Sequence, residues 1–183
     1  MASTATEKKK HTYEDYLKTP DDARYELIEG DLLMTPSPVT KHQRILRDLG
    51  FELLSFVRAK NLGEIFLAPY DVYFDNENVV QPDILFISRE RLNLIGEKNM
   101  QGPPDLVIEI LSESTAYRDL IQKKKLYARY CVKEYWIVIP EEESVGIYSI
   151  KNDVFILHKS FGKNETLESP VMKGLKIDLR TIF

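Results

Sequence analysis

The stretch Leu106-Val107-Ile108-Glu109-Ile110-Leu111 constrains this chain more than any other. It is the most strand-like segment present, and a nearly continuous apolar run of this length belongs to a strand covered on both faces. Glu109 sits in its middle. An ionised carboxylate in such a place is costly unless it is paired or coordinates a metal. The run by itself admits a structural ion pair, an edge position open to water, or a metal ligand.

Asp83 repeats the pattern: it follows Pro82 and precedes Ile84-Leu85-Phe86-Ile87, so a carboxylate again opens an apolar strand. It reads either as a residue that starts a strand after proline or as a second ligand. The 26 positions between the two carboxylates (109 − 83), with Gly102-Pro103-Pro104 among them, allow two strands to lie side by side and bring both to one cation. Ligation by oxygen alone favours magnesium (Mg2+) or manganese (Mn2+) over zinc. Asp105 is a rival on the same strand face as Glu109. Four residues of strand span roughly 13 Å, too far to share an ion, so Asp105 is assigned a structural role.

The rest of the chain reads as helix, strands, helix, strands. Tyr13 to Tyr16 suits a short helix. Tyr25–Ile28 and Leu32–Met34 flank Glu29-Gly30-Asp31 as a hairpin. Thr40 is the expected N-cap of a helix reaching about Lys60, with Ile45, Leu49, Leu53, Phe56 and Val57 as its apolar stripe. One strand bent at Pro69 is expected over 64–74, another over 79–87, and a helical turn near Arg91. After Glu109 come capping residues at Ser112–Thr115, a helix to about Cys131, strands at 134–139, 145–150 and 154–158, and one more strand in the tail from Gly174. The pattern is that of an α/β (α+β-like) domain, a mixed β-sheet flanked by helices.

The net charge of −4 and pI near 5.5 argue against a protein that coats nucleic acid non-specifically, but not against an enzyme whose site is itself rich in carboxylates. The single cysteine, Cys131, excludes a disulfide framework and a cysteine-rich zinc site. No apolar run is long enough for a transmembrane helix. Residues 1–12 are expected to be a disordered leader rather than a secretory signal, 13–183 one domain, and the location cytoplasmic.

On the second helix Asp119, Lys123 and Tyr127 are spaced by four and share a face. Lys124 and Lys125 read as a solvated patch, whereas Lys123 lies on the stripe close in sequence to the Glu109 strand. From there its ammonium could orient or help deprotonate a water and offset charge on a phosphate. Tyr127, Tyr130 and Trp136 are expected in the core.

Taken in order, Tyr25-Glu26-Leu27-Ile28-Glu29-Gly30, His42-Gln43, Gln81-Pro82-Asp83, Pro104 through Ser112, Arg118-Asp119-Leu120, Lys123, Tyr127 and Glu134-Tyr135-Trp136 closely resemble the Uma-type (Uma-two) restriction endonuclease family of the PD-(D/E)xK nuclease superfamily. The resemblance covers about residues 13 to 150 and implies a restriction-endonuclease-like fold that hydrolyses DNA, with a homodimer cutting two strands. Asp83 and Glu109 would be the metal ligands, and Glu26 would add a ligand or a contact beside them. His42 would be a polar neighbour of the site. The superfamily's lysine two residues after the acid is absent, since that position is Leu111, and Lys123 would replace it from the following helix. A non-catalytic member binding nucleic acid or protein, or a fold in which Lys123 merely satisfies Glu109, are the competing expectations.

Overall fold

The computed structural model describes residues 9–20 and 22–183. Of the leader expected over 1–12, residues 1–8 lie outside the described residues, and the remainder is tied to the fold. Lys10 pairs with Glu77 at 2.8 Å, the His11 N–H donates to the Gly30 carbonyl, and the Thr12 N–H donates to the Asp15 carboxylate. One helical turn, α1 (Tyr13–Tyr16), follows. Strands β1 (Arg24–Ile28) and β2 (Asp31–Thr35) form the expected hairpin. Its two turn residues, Glu29 and Gly30, carry φ of 52° and 78°. Positive φ at both is what the twist of a two-residue hairpin requires, and glycine meets it without steric cost.

Helix α2 (Thr40–Lys60) buries Ile45, Leu49, Leu53 and Val57, with Phe56 partly buried against the same core. Val39, not Thr40, takes the N-cap position, so the helix begins at the residue expected to cap it. Both long strands expected next are interrupted. β3 (Gly63–Leu67) and β4 (Val72–Asp75) belong to different sheets, as do β5 (Asn78–Val80) and β6 (Ile84–Ser88). Pro69 and Pro82 lie at the two breaks. Proline has no N–H to give to a ladder, so the chain changes sheets there rather than continuing a strand.

A 3-10 turn, Arg89–Leu94, falls where a helical turn was expected, and leads to β7 (Met100–Gln101) and β8 (Leu106–Ile110). A π-helical segment, Arg118–Lys123, runs directly into α3 (Lys124–Arg129). Three longer strands and two short ones follow: β9 (Glu134–Ile139), β10 (Ser144–Lys151), β11 (Val154–Gly162), β12 (Thr166–Leu167) and β13 (Ile177–Asp178). Among the described residues no helix is long and apolar enough to cross a membrane.

The main sheet has the order β11-β10-β9-β8-β6-β3, with β8 and β9 parallel and its other pairs antiparallel. A second sheet has the order β2-β1-β5-β4-β7, and β12 pairs with β13. Alternation along the central strands builds two cores. Leu106, Ile108, Ile110, Ile84, Phe86 and Trp136 pack with α2. Val107, Leu85, Ile87, Tyr135 and Ile137 pack on the opposite face with Leu126 and Tyr127 of α3 and Ile28, Val72 and Val80 of the second sheet. β8 is therefore covered on both sides, as its apolar run implies. Glu109, two residues after Val107, shares its face and lies between the sheets.

Asp105, just before β8, is structural. Only 1% exposed, it accepts from the Ser88 N–H at 2.7 Å and from Arg91 at 2.9 Å, and it pairs with Lys133 at 2.6 Å. Burial pushes its carboxyl up, but the bonds from Lys133, the Ser88 N–H and Arg91 prevail and hold it below the usual value. A depressed folded pKa contributes stability above the unfolded value that is lost as pH falls through the folded one. Asp105→Ala is expected to cost about 2–3 kcal/mol at neutral pH. Urea unfolding of both proteins checks this, and the deficit should shrink as the pH is taken below about 4.

Candidate active site

The β6–β8 ladder pairs Ile84 with Ile108. Asp83 directly precedes β6 and Glu109 lies on β8, so the two carboxylates suspected from sequence sit at two paired strands. Asp83 Oδ2 accepts from the Ile110 N–H at 2.8 Å and faces His42 Nε2 at 3.2 Å. A carboxylate only accepts, so Nε2 is assigned the proton of that contact.

Across the gap between the sheets, Glu26 alternates with Leu27 along β1 and points with Ile28 toward the main sheet. Lys123 lies between Glu26 and Glu109. Its Nζ is 2.8 Å from Glu26 Oε1, 3.0 Å from Glu109 Oε1 and 3.4 Å from Asp119 Oδ1. Tyr127 donates to Glu109 Oε1 at 2.6 Å, and Tyr135 donates to the Asp119 carbonyl at 2.9 Å. Glu26 also accepts from the Gln81 N–H at 2.9 Å and, on Oε2, from Arg118 at 3.1 Å. The π-helical turn carries Arg118, Asp119 and Lys123 together. Such wide turns are rare and are frequent at functional sites.

Glu26, Glu109, Asp119 and Lys123 are each at most 3% exposed. Burial raises the Glu109 carboxyl well above the usual value; Lys123 pulls it down, while Asp119, Asp83 and Glu26 add to the rise. Asp119 is raised by burial too, against the pull of Lys123. For Lys123 burial lowers the value, but Glu109, Glu26 and Asp119 overcome it and hold the ammonium well above the ordinary lysine range. Lys123 is thus a fixed positive charge at neutral pH. The expected help in deprotonating a water does not suit it, whereas orienting and charge-offsetting roles do.

Glu26, His42, Asp83, Glu109, Asp119 and Lys123 all line one cleft of about 130 Å³. Exposed Ser37, Val39 and Ser114 lie on the same cleft and open it to solvent. Four carboxylates share this region with two fixed cations, Lys123 and Arg118, which leaves two negative charges if all ionise. Among the described residues no three carboxylate, histidine or cysteine side chains already stand as a ligand cluster; the Lys123 ammonium lies between Glu26 and Glu109 instead. Sequence reasoning singled out Asp83, Glu109 and Lys123. It passed over Arg118, whose position in the Arg118-Asp119-Leu120 element was its only signal, and Gln81, whose contribution is a backbone N–H. Tyr127 and Trp136 are in the core as expected, and Lys124 lies over the Tyr148 ring at 3.7 Å.

The fold is that of a nuclease-like α+β protein. A crystal structure described as a "putative nuclease belonging to DUF820" from Anabaena variabilis superposes with a TM-score of 0.78 at 21% identity, covering 94% of this chain and 97% of that one. At that identity the likeness concerns the fold alone. No curated protein matches the sequence. The Uma2 family, described as "Putative restriction endonuclease", matches residues 12–180, and the chain belongs to it.

Lys123→Met is expected to destabilise the protein by about 3–5 kcal/mol, because it leaves buried carboxylates without their counter-charge. The Glu109 and Asp119 carboxyls bind protons more tightly folded than unfolded, so the loss should be larger at about pH 8 than at about pH 5. Urea unfolding at the two pH values checks the sign.

Proposed function

We propose that this chain is a metal-dependent endonuclease that hydrolyses DNA phosphodiester bonds, with magnesium or manganese held by Asp83 and Glu109. The observation that carries the reading is the pair of carboxylates, Asp83 at the start of β6 and Glu109 on the adjacent β8, that line one solvent-open cleft. That donor set fits a divalent ion. The oxygens are hard, and the hydrogen bonds described above fall on Asp83 Oδ2 and Glu109 Oε1, leaving Oδ1 and Oε2 for a ligand. When bound, such an ion activates water and stabilises charge on the leaving oxygen.

The chain's own residues do the rest. Tyr127 and Lys123 hold Glu109 in one orientation, and the Ile110 N–H gives Asp83 Oδ2 a donor from β8. Lys123, fixed as an ammonium, offsets negative charge on a phosphate entering the cleft. Glu26 has both oxygens engaged by Lys123, the Gln81 N–H and Arg118, which suits a residue that sets the lysine's position better than a third ligand. A homodimer, acting in the cytoplasm, would present two such clefts to a duplex.

A second reading is favoured by one observation: Lys123 already neutralises part of the carboxylate cluster, as a non-catalytic member would require. One experiment separates the two. Wild type, Asp83→Ala and Glu109→Ala are incubated with plasmid and single-stranded DNA in magnesium or manganese. Cleavage by the wild type is expected, with a loss of at least about a hundredfold in each variant. A wild type that cuts no DNA with either metal would sink the nuclease reading and leave the non-catalytic one.

A further inference from the structure

His42 is the third residue of α2 and is 8% exposed, at the point where the first helical turn meets the cleft. Its Nε2 faces Asp83, but Nδ1 is buried and has no hydrogen-bond partner among the described residues. A buried polar atom without a partner is a net cost to the folded state. An apolar ring at this position would avoid that cost and lengthen the stripe that begins at Ile45. A polar ring kept at an expense to the fold calls for an explanation at its other nitrogen.

We infer that His42 is a positioning residue for Asp83. Two donors from different elements, the Ile110 N–H of β8 and the His42 Nε2–H of α2, converge on one oxygen, Oδ2. A single donor leaves a carboxylate freer to swing about its terminal bond, whereas two donors from different elements fix its plane. With the plane fixed, Oδ1 is the oxygen presented to a cation. This rests on the reading of Asp83 as a metal ligand. Groups that orient a ligand in this way contribute about ten- to a hundredfold in metal affinity.

The test compares wild type, His42→Gln and His42→Phe. Glutamine keeps an N–H donor near the place of Nε2, and phenylalanine keeps the ring without one. Three quantities are measured: Mn2+ affinity by electron paramagnetic resonance titration, hydrogen exchange of the Ile110 amide in the metal-free protein, and urea unfolding. His42→Phe should bind Mn2+ about ten- to a hundredfold more weakly, with His42→Gln within about threefold of wild type. It should also exchange the Ile110 amide faster, while its metal-free stability equals or exceeds that of wild type. Wild-type Mn2+ affinity in His42→Phe overturns the positioning role and leaves the metal reading intact. Equal loss in the glutamine and phenylalanine variants overturns it as well. A wild type that binds no Mn2+ overturns the metal reading, and unchanged Ile110 exchange in His42→Phe then removes the hold on Asp83 too.

Discussion

An ammonium buried among three carboxylates is the interaction on which the arrangement of this protein depends. Lys123 reaches Glu26 from the hairpin sheet, Glu109 from the main sheet and Asp119 from its own helix. None of the four could be withdrawn from water alone without a penalty of several kcal/mol. Together they satisfy one another where the two sheets and the π-helical turn meet, and the cleft opens at that junction. Well-packed aliphatic side chains would join the same elements at equal or lower cost. Retaining charge there places perturbed ionisable groups in a cleft, an arrangement typical of functional sites.

The cluster also divides its labour by depth. Lys123 and Glu26 form an inner set whose charges are largely spent on one another. Asp83 is less buried, its side chain 15% exposed, and is held by groups of the main sheet and α2. Glu109 belongs to both sets. A ligand arriving through the cleft therefore meets carboxylate oxygens already oriented from behind, which is the preorganisation that electrostatic catalysis relies on.

Much of the fold was legible because its determinants are local. Positive φ at Glu29-Gly30, the stripe of α2 and the apolar run of β8 each depend on neighbours a few residues apart. The strands expected over 64–74 and 79–87 differ from those observed for the same reason. Pro69 and Pro82 announce an interruption, but whether the chain bends within one sheet or crosses to another depends on partners far away in sequence. Thr40 fails as a cap because the preceding Pro36-Ser37-Pro38 segment delivers Val39 to that position, a detail that capping preference alone does not decide.

For the site, the sequence by itself determined which residues were out of place. Asp83 and Glu109 are carboxylates that open or interrupt apolar strands, and Lys123 is a lysine on the helical stripe it shares with Asp119 and Tyr127. Burial of charge is expensive enough that such residues declare themselves without a structure. Only the tertiary structure decided who satisfies whom: that Lys123 joins Glu109 to Glu26 across two sheets, that Arg118 and the Gln81 N–H complete Glu26, and that His42 and the Ile110 N–H share Asp83. Electrostatic pairing acts through space over a few ångströms, and separations of 14 to 97 residues between these partners leave no periodic trace in the chain.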